Sequence, residues 1–471
     1  LTMRYYNSKA SRLRYAAPHT LVGVGGAASA VLGLLLFLTG WVVSLVPANY
    51  FIRPATLAGI VRNLFEMGAS LVFVSCLLLL ASYLLHKFMP DYEKIRHMVY
   101  RGLCCPAYGN PLHLKDGEFL PKVLCVPSNS GRYDITVTGA SVGMEDLVKS
   151  ASRISALING KFRRYAVVYV DGAPDYHETV FHIEDVAQDW SLTFKGVGEM
   201  CNYDPTKLLV QNGTAIDLTS SGSMLVAGKT RSGKTTGIIS LLLQVLQHGR
   251  DDYGSEVMII DPKQAELSRL PHVVTLGEDG GAREILDAIR KYAAIIKERQ
   301  KALNGLSEQW GNAVHWWDAG MHPSFLFIDE YVALRSLLPK KADKADKAAP
   351  DYSLAEFDDL IKRIVTMGAS AGCYVIISIA QASVDEGGLP SMLRAAMSTK
   401  ILFRPTLEEG RLLWPGPSLD TLAVARKYTP GDAWFSSSDG EHDAPSYVHF
   451  PHMDFPVYKE LGQLLRKYYG N

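Results

Sequence analysis

Met224–Thr236 reads Met-Leu-Val-Ala-Gly-Lys-Thr-Arg-Ser-Gly-Lys-Thr-Thr, a short apolar run that breaks into G-x-x-x-x-G-K-T and leads into an apolar helical stretch, Ile238 to Leu246. Strand, glycine loop and helix in that order form the context of a phosphate-binding P-loop. The glycines let backbone N–H groups face inward, and the following helix contributes the positive end of its dipole. Gly228, Thr230, Arg231, Ser232, Gly233, Lys234, Thr235 and Thr236 are therefore the candidate nucleotide-binding residues. In this pattern Lys234 reaches the β/γ-phosphates of ATP, and the Thr235 hydroxyl takes one coordination position of Mg²⁺.

Downstream, Glu256–Lys263 reads as a strand ending in a polar turn, and an amphipathic helix is expected from about Arg283 to Leu303. Ser324–Ile328 is a buried-strand pattern delivering two carboxylates, Asp329 and Glu330. This is the Walker B form, with Asp329 assigned to Mg²⁺ and Glu330 to the attacking water. A further strand, Cys373–Ala380, ends at Gln381, which is a candidate for sensing the γ-phosphate or orienting water, or an ordinary loop glutamine. Alternation of strands and helices predicts a RecA-like α/β motor with a parallel sheet.

The N-terminal end has a different character. Leu21 to Val46 carries no charged residue, and a second uncharged run covers Met67 to Leu85. A spanning helix needs roughly 20 apolar residues, so a two-helix transmembrane anchor is predicted over residues 20–87. Arg4, Lys9, Arg12 and Arg14 precede the first span, and Lys87, Lys94, Arg96 and Arg101 follow the second, against Arg53, Arg62 and Glu66 between them. By the positive-inside rule both termini lie in the cytoplasm, with a short external loop and the basic segment 1–19 inside.

Residues 88–205 read as a small α+β adaptor or assembly region, with strands at Tyr133–Val137 and Tyr165–Val170 and a helix over Met144–Ile158. Residues 206–471 form the motor, with a lysine-, alanine- and aspartate-rich insertion at about 339–351. The 48 Lys and Arg balance 48 Asp and Glu. With no global basic footprint, nucleic acid would have to meet a local patch or a ring of subunits. The six cysteines lack metal-ligand spacing, which favours a reduced, cytoplasmic bulk. His272, His315 and His322 read as surface or packing residues, and Trp310, Trp316 and Trp317 as packing. An LSGGQ-like signature and an H-E-x-x-H motif are both missing, which argues against an ABC subunit or an AAA-type protease.

From Asp217 onward the chain resembles the FtsK/SpoIIIE family of DNA-pumping ATPases. The resemblance rests on Ala215–Leu218, the P-loop, Asp261-Pro262-Lys263 with Glu266-Leu267-Ser268, Asp329-Glu330, Ala380-Gln381 and Gly431-Asp432, in that order. It implies a homohexameric ring with ATP at the subunit interfaces and DNA in the pore. Where the family carries an arginine in G-R-A-x-G, this chain has Ala369 within Gly368–Gly372, leaving Arg363, Arg394 and Arg411 as alternatives for a trans-acting charge. With the chain ending at Asn471, soon after the motor, the winged-helix reader of chromosome translocases is not expected. A two-span, single-motor member of this kind is similar to the TcpA-like coupling proteins of conjugative plasmids and integrative elements. That similarity implies a cell-membrane protein, DNA of unspecified strandedness, and relaxase (relaxosome) and secretion-channel partners. The alternatives are an FtsK/SpoIIIE-type ATPase of a protein secretion system and a catalytically silent, nucleotide-binding scaffold.

Overall fold

A computed structural model describes residues 5–45, 53–129, 131–139, 142–162, 165–172, 178–185, 190–200, 204–247, 254–279, 281–340, 350–380, 389–415, 419, 428–440 and 442–470. The chain divides into two compact units, Leu1–Gln188 and Asp189–Asn471.

In the first unit, helices α1 (Pro18–Ser44) and α2 (Pro54–Phe88) form a hairpin. At a rise of about 1.5 Å per residue each is long enough to cross a bilayer. Their apolar side chains face outward, with Leu34, Leu38, Phe73 and Leu80 all exposed. Only 11% of the most apolar window of each helix is buried. The helices meet through small residues. A Cβ on Gly33 would come within 3.0 Å of the Gly68 carbonyl oxygen, and one on Gly68 within 3.1 Å of that of Gly33. Backbones this close explain the glycines as packing residues. The second helix begins well before the uncharged run and carries the Arg62–Glu66 ion pair in its first half.

The hairpin continues into α3 (Asp91–Cys104) and then β1 (Lys122–Asn129), β2 (Arg132–Thr138), α4 (Met144–Lys149), α5 (Ala151–Phe162), β3 (Tyr165–Gly172) and β4 (Glu178–Asp185). The four strands form an antiparallel sheet in the order β1-β2-β4-β3. Strand β4 alternates buried and open residues, placing Phe181 and Ile183 in a core with Ile95, Val99 and Leu103 of α3 and Ile154 and Ile158 of α5. The single helix expected over Met144–Ile158 is instead two. At Ser150 the hydroxyl donates to the Leu147 carbonyl, competing with the helix ladder at the break. The stretch ahead of the first span joins this core too. Tyr6 and Tyr15 are buried in it, Tyr6 N–H donates to the Glu118 carbonyl at 2.7 Å, and Ser8 Oγ donates to Asp116 at 2.8 Å. Residues on either side of the hairpin thus share one core.

The second unit opens with β5 (Thr193–Phe194), β6 (Lys207–Gln211) and β7 (Thr214–Asp217), then β8 (Met224–Gly228), α6 (Lys234–Leu246), β9 (Val257–Ile260) and β10 (Val273–Val274). After these come α7 (Arg283–Trp310), β11 (Ser324–Ile328), α8 (Tyr331–Leu337), α9 (Leu354–Met367), β12 (Cys373–Ile379), α10 (Ser391–Ala396) and β13 (Thr399–Phe403). The chain closes with α11 (Leu407–Leu413), β14 (Asp432–Ser437), β15 (Ser446–His449), β16 (His452–Met453) and α12 (Val457–Tyr469). Eight strands make one sheet, β10-β9-β11-β12-β8-β13-β14-β15, parallel from β10 to β13 and antiparallel at the last two.

Strands β8, β11 and β12 are buried throughout, as a parallel sheet covered on both faces requires. Side-chain alternation assigns the faces. Val226, Phe325 and Phe327 pack with α6 and with Leu461 and Leu465 of α12, whereas Leu225, Leu326 and Ile328 pack with α7 and α9. Helix α7 runs two turns beyond its expected end and leaves Trp310 exposed at its tip. Trp316 is fully buried against Trp317 and Tyr374. At the far edge of the sheet, the Tyr469 hydroxyl accepts from Val257 N–H at 2.8 Å and donates to its carbonyl at 3.0 Å, satisfying backbone that β10 does not reach.

Candidate active site

Sheet register brings the candidate residues to one edge. Gly228 ends β8 beside Phe403 of β13, Ala227 pairs with Ile379 at the end of β12, and Ile377 pairs with Ile328 at the end of β11. The C-terminal tips of β8, β12, β11 and β9 therefore line up, and the P-loop, Asp329-Glu330 and Asp261 all leave the sheet on that side. Strand β12 lies between the P-loop strand and the strand carrying the two carboxylates. Gln381 follows β12 but lies outside the described residues.

The P-loop has the conformation its residue types allow. Arg231 adopts φ 63° and Gly233 φ 91°, both left-handed. Gly233 also has no room for a side chain, because a Cβ there would lie 2.5 Å from the Gly431 nitrogen. Gly431 N–H donates to the Ser232 carbonyl at 3.0 Å, so the late turn Pro430–Asp432 buttresses the loop from behind. That turn is held in turn by Asp432, which is 3% exposed and accepts hydrogen bonds from His449 Nδ1 at 2.5 Å, from Thr429 N–H and hydroxyl, and from the Tyr447 hydroxyl. Burial alone would raise the Asp432 carboxyl, but these donors outweigh it and hold it down at about 2.

Two features of the loop fit a phosphate. Helix α6 starts at Gly233 with no side-chain cap, leaving its first N–H groups open to a ligand. The Ser232 hydroxyl is buried without a hydrogen-bond partner. Thr230, Arg231 and Thr236 are exposed around the loop, and Thr235 is partly buried at the helix start.

Lys234 is only 8% exposed. Its ammonium donates to the Ile379 carbonyl at 3.2 Å and sits 3.8 Å from Glu330 Oε1. Burial lowers its pKa, with Glu330 and Asp329 opposing. Asp329 accepts from the Ser378 hydroxyl of β12 at 2.8 Å. Burial raises its pKa, opposed by that hydrogen bond and by Lys234. Glu330 takes φ 48°, ψ 53° at the start of α8, a backbone state that costs about 1–3 kcal/mol for a non-glycine residue. Asp329 on one side and the fully buried Tyr331 on the other fix it there, and its carboxylate remains partly open to solvent. A cation and two carboxylates facing an uncapped helix N-terminus can bind a polyphosphate and act on water beside it.

Two contacts of this site, Ser378 and Lys263, and one structural residue remote from it, Arg299, were given no role by motif spacing. Ser378 is a small hydroxyl residue near the tip of an otherwise apolar strand, and its hydroxyl donates to Asp329, just past the neighbouring strand. Lys263 lies 3.3 Å from Glu330 Oε1. Arg299, 4% exposed at the opposite end of the sheet, donates to the His322, Ala371 and Gly254 carbonyls and is a structural residue. Ala369 is exposed at that same opposite end, ahead of β12. Of the alternative arginines, Arg363 is exposed and paired with Asp359, Arg394 donates to the Leu412 carbonyl, and Arg411 is exposed. No cluster of three or more His, Cys, Asp or Glu able to hold a metal occurs among the described residues.

The family model described as "FtsK/SpoIIIE family" matches residues 200–384. A DNA translocase FtsK of Pseudomonas syringae pv. syringae is 27% identical over 215 residues, covering 41% of this chain and 27% of that protein. The Ftsk domain-containing protein YdcQ of Bacillus subtilis is 28% identical over 154 residues, covering 33% of this chain and 28% of its own. The chain thus spans less than a third of the length of these relatives. Among solved structures, the pCW3 conjugation coupling protein TcpA in its monomer form with ATPγS aligns with TM-score 0.43 and 13% identity, covering 74% of this chain and 93% of that one. With its P-loop, its carboxylate pair and the strand order that joins them, the segment 200–384 belongs to the FtsK/SpoIIIE family of P-loop ATPases.

Proposed function

We propose that this chain is a membrane-anchored, ATP-driven DNA translocase that works as a homohexamer and as a conjugative coupling protein, passing relaxase-bound DNA to a secretion channel. The observation that carries the reading is the meeting of Lys234, Asp329 and Glu330 at one sheet edge, in a segment of FtsK/SpoIIIE type. ATP is the nucleotide in this reading. Lys234 and the N–H groups at the start of α6 hold its phosphates, and Glu330 orients and deprotonates the attacking water. The Thr235 hydroxyl and the Asp329 carboxylate are the residues that would hold Mg²⁺, which when bound neutralises phosphate charge. Asp329 needs no change of partners for this, because Ser378 engages one of its oxygens and leaves the other.

Two apolar helices and the shared core on either side of them support a two-pass anchor in the cell membrane with the motor and the N-terminal segment on the same, cytoplasmic side. The test is the ATPase rate of the full chain in detergent with single-stranded DNA, double-stranded DNA, a secreted peptide or no polymer. Stimulation by DNA is the expected result. Stimulation by the peptide alone would move the assignment to a protein-secretion ATPase, and nucleotide binding without turnover would make the chain a scaffold.

A further inference from the structure

The Glu330 carboxylate is engaged by two cations at once, with Oε1 3.3 Å from Lys263 Nζ and 3.8 Å from Lys234 Nζ. Lys234 has a second task, since the phosphates of a bound nucleotide draw its ammonium away. Lys263 lies outside the P-loop. It belongs to the turn after β9, and that turn is built to hold it still. Fully buried Asp261 accepts from the N–H groups of Lys263, Ala265 and Ser268 at 3.1, 2.8 and 3.1 Å. Two residues further on from Ala265's neighbour Gln264, Glu266 accepts from the Tyr458 hydroxyl of α12 at 3.0 Å, which braces the turn from outside.

We propose that Lys263 is a positioning residue for Glu330, holding the carboxylate in a two-lysine clamp with Lys234 and restraining it until the Lys263–Glu330 pair opens. This rests on the reading of Glu330 as the carboxylate that acts on water. A carboxylate turned toward a lysine is not aimed at water, so the clamp slows turnover while the pair is closed. Lys263 is half exposed, which makes the restraint mild and releasable, with an effect of about two- to fivefold on rate.

The test compares steady-state ATP turnover, without DNA, for the full-length chain and for Lys263→Met, Lys263→Arg, Glu330→Gln and the Lys263→Met/Glu330→Gln pair. Lys263→Met should raise kcat about two- to fivefold with KM nearly unchanged. Lys263→Arg should keep the wild-type rate, and the double variant should fall to the Glu330→Gln level. A second readout needs no nucleotide. With limiting acetic anhydride and mass spectrometry, Lys263 should be acetylated faster in Glu330→Gln than in wild type, with exposed Lys291 and Lys297 of α7 as internal references. An unchanged or lower kcat in Lys263→Met, or equal Lys263 labelling in both chains, overturns the inference. A wild-type chain without turnover, or a Glu330→Gln chain at the wild-type rate, overturns the reading of Glu330 and this inference with it. That outcome is distinct from a Glu330-dependent rate that Lys263→Met leaves unmoved.

Discussion

Replacing Asp432 by asparagine removes the anchor of the turn that backs the P-loop. The native carboxylate is surrounded by donors only: His449 Nδ1, the Tyr447 hydroxyl, and the Thr429 amide and hydroxyl. An asparagine amide places a donor among donors, so at least one buried group loses its partner. A carboxyl held at about 2, against its ordinary 3.8, stabilises the folded chain by about 2 kcal/mol at neutral pH. For a unit of this size that is a fall of roughly 3–4 °C in melting temperature. The sign with pH follows from the depressed value. The contribution is complete above the unfolded pKa and is lost as pH falls from about 4 toward about 2. Unfolding of the solubilised chain is followed by fluorescence, with Trp434 of β14, whose indole N–H donates to the Tyr428 hydroxyl, as a local reporter. The gap between wild type and Asp432→Asn should be present at pH 7 and narrow below pH ~4. Equal midpoints at pH 7, or a gap that ignores pH, would refute this account of the turn.

Other substitutions probe separate parts of the structure. Lys234→Ala should abolish ATP hydrolysis while leaving the melting temperature unchanged or higher, since it removes a cation whose burial is unfavourable; calorimetry alongside a phosphate-release assay reads both. Gly233→Ala places a Cβ against the Gly431 backbone at a left-handed φ, and should cost roughly 2–5 kcal/mol of stability and eliminate nucleotide binding measured by fluorescent-ATP titration. Gly68→Leu collides with the Gly33 carbonyl and the Phe37 ring, so the hairpin should separate. Crosslinking between single cysteines placed on α1 and α2 should then fall, after replacement of native Cys76.

Much of the motor was legible in the sequence because each motif residue sits at the end of an apolar run, and burial of a parallel strand dictates where its tip emerges. The runs Leu225–Ala227, Phe325–Ile328 and Tyr374–Ile379 show this. The placing of β12 between β8 and β11 was not legible, because strand order depends on contacts between residues about 50 to 150 positions apart. The same holds for the Ser378–Asp329 and Lys263–Glu330 contacts, which join side chains on different strands and turns. Helix α7 extends to Trp310 because Leu306 still packs on the core beyond Leu303. The segment ahead of the first span reads as basic and polar, yet buries Tyr6 and Tyr15, two residues too isolated to form a periodic signal.

The account stands most directly on Glu330. Glutamine at this position keeps the shape and removes the base, so Glu330→Gln should bind ATP as tightly as wild type while hydrolysis in a single-turnover assay drops by about 10²–10⁴-fold. A Glu330→Gln chain that cleaves ATP at the wild-type rate would contradict it.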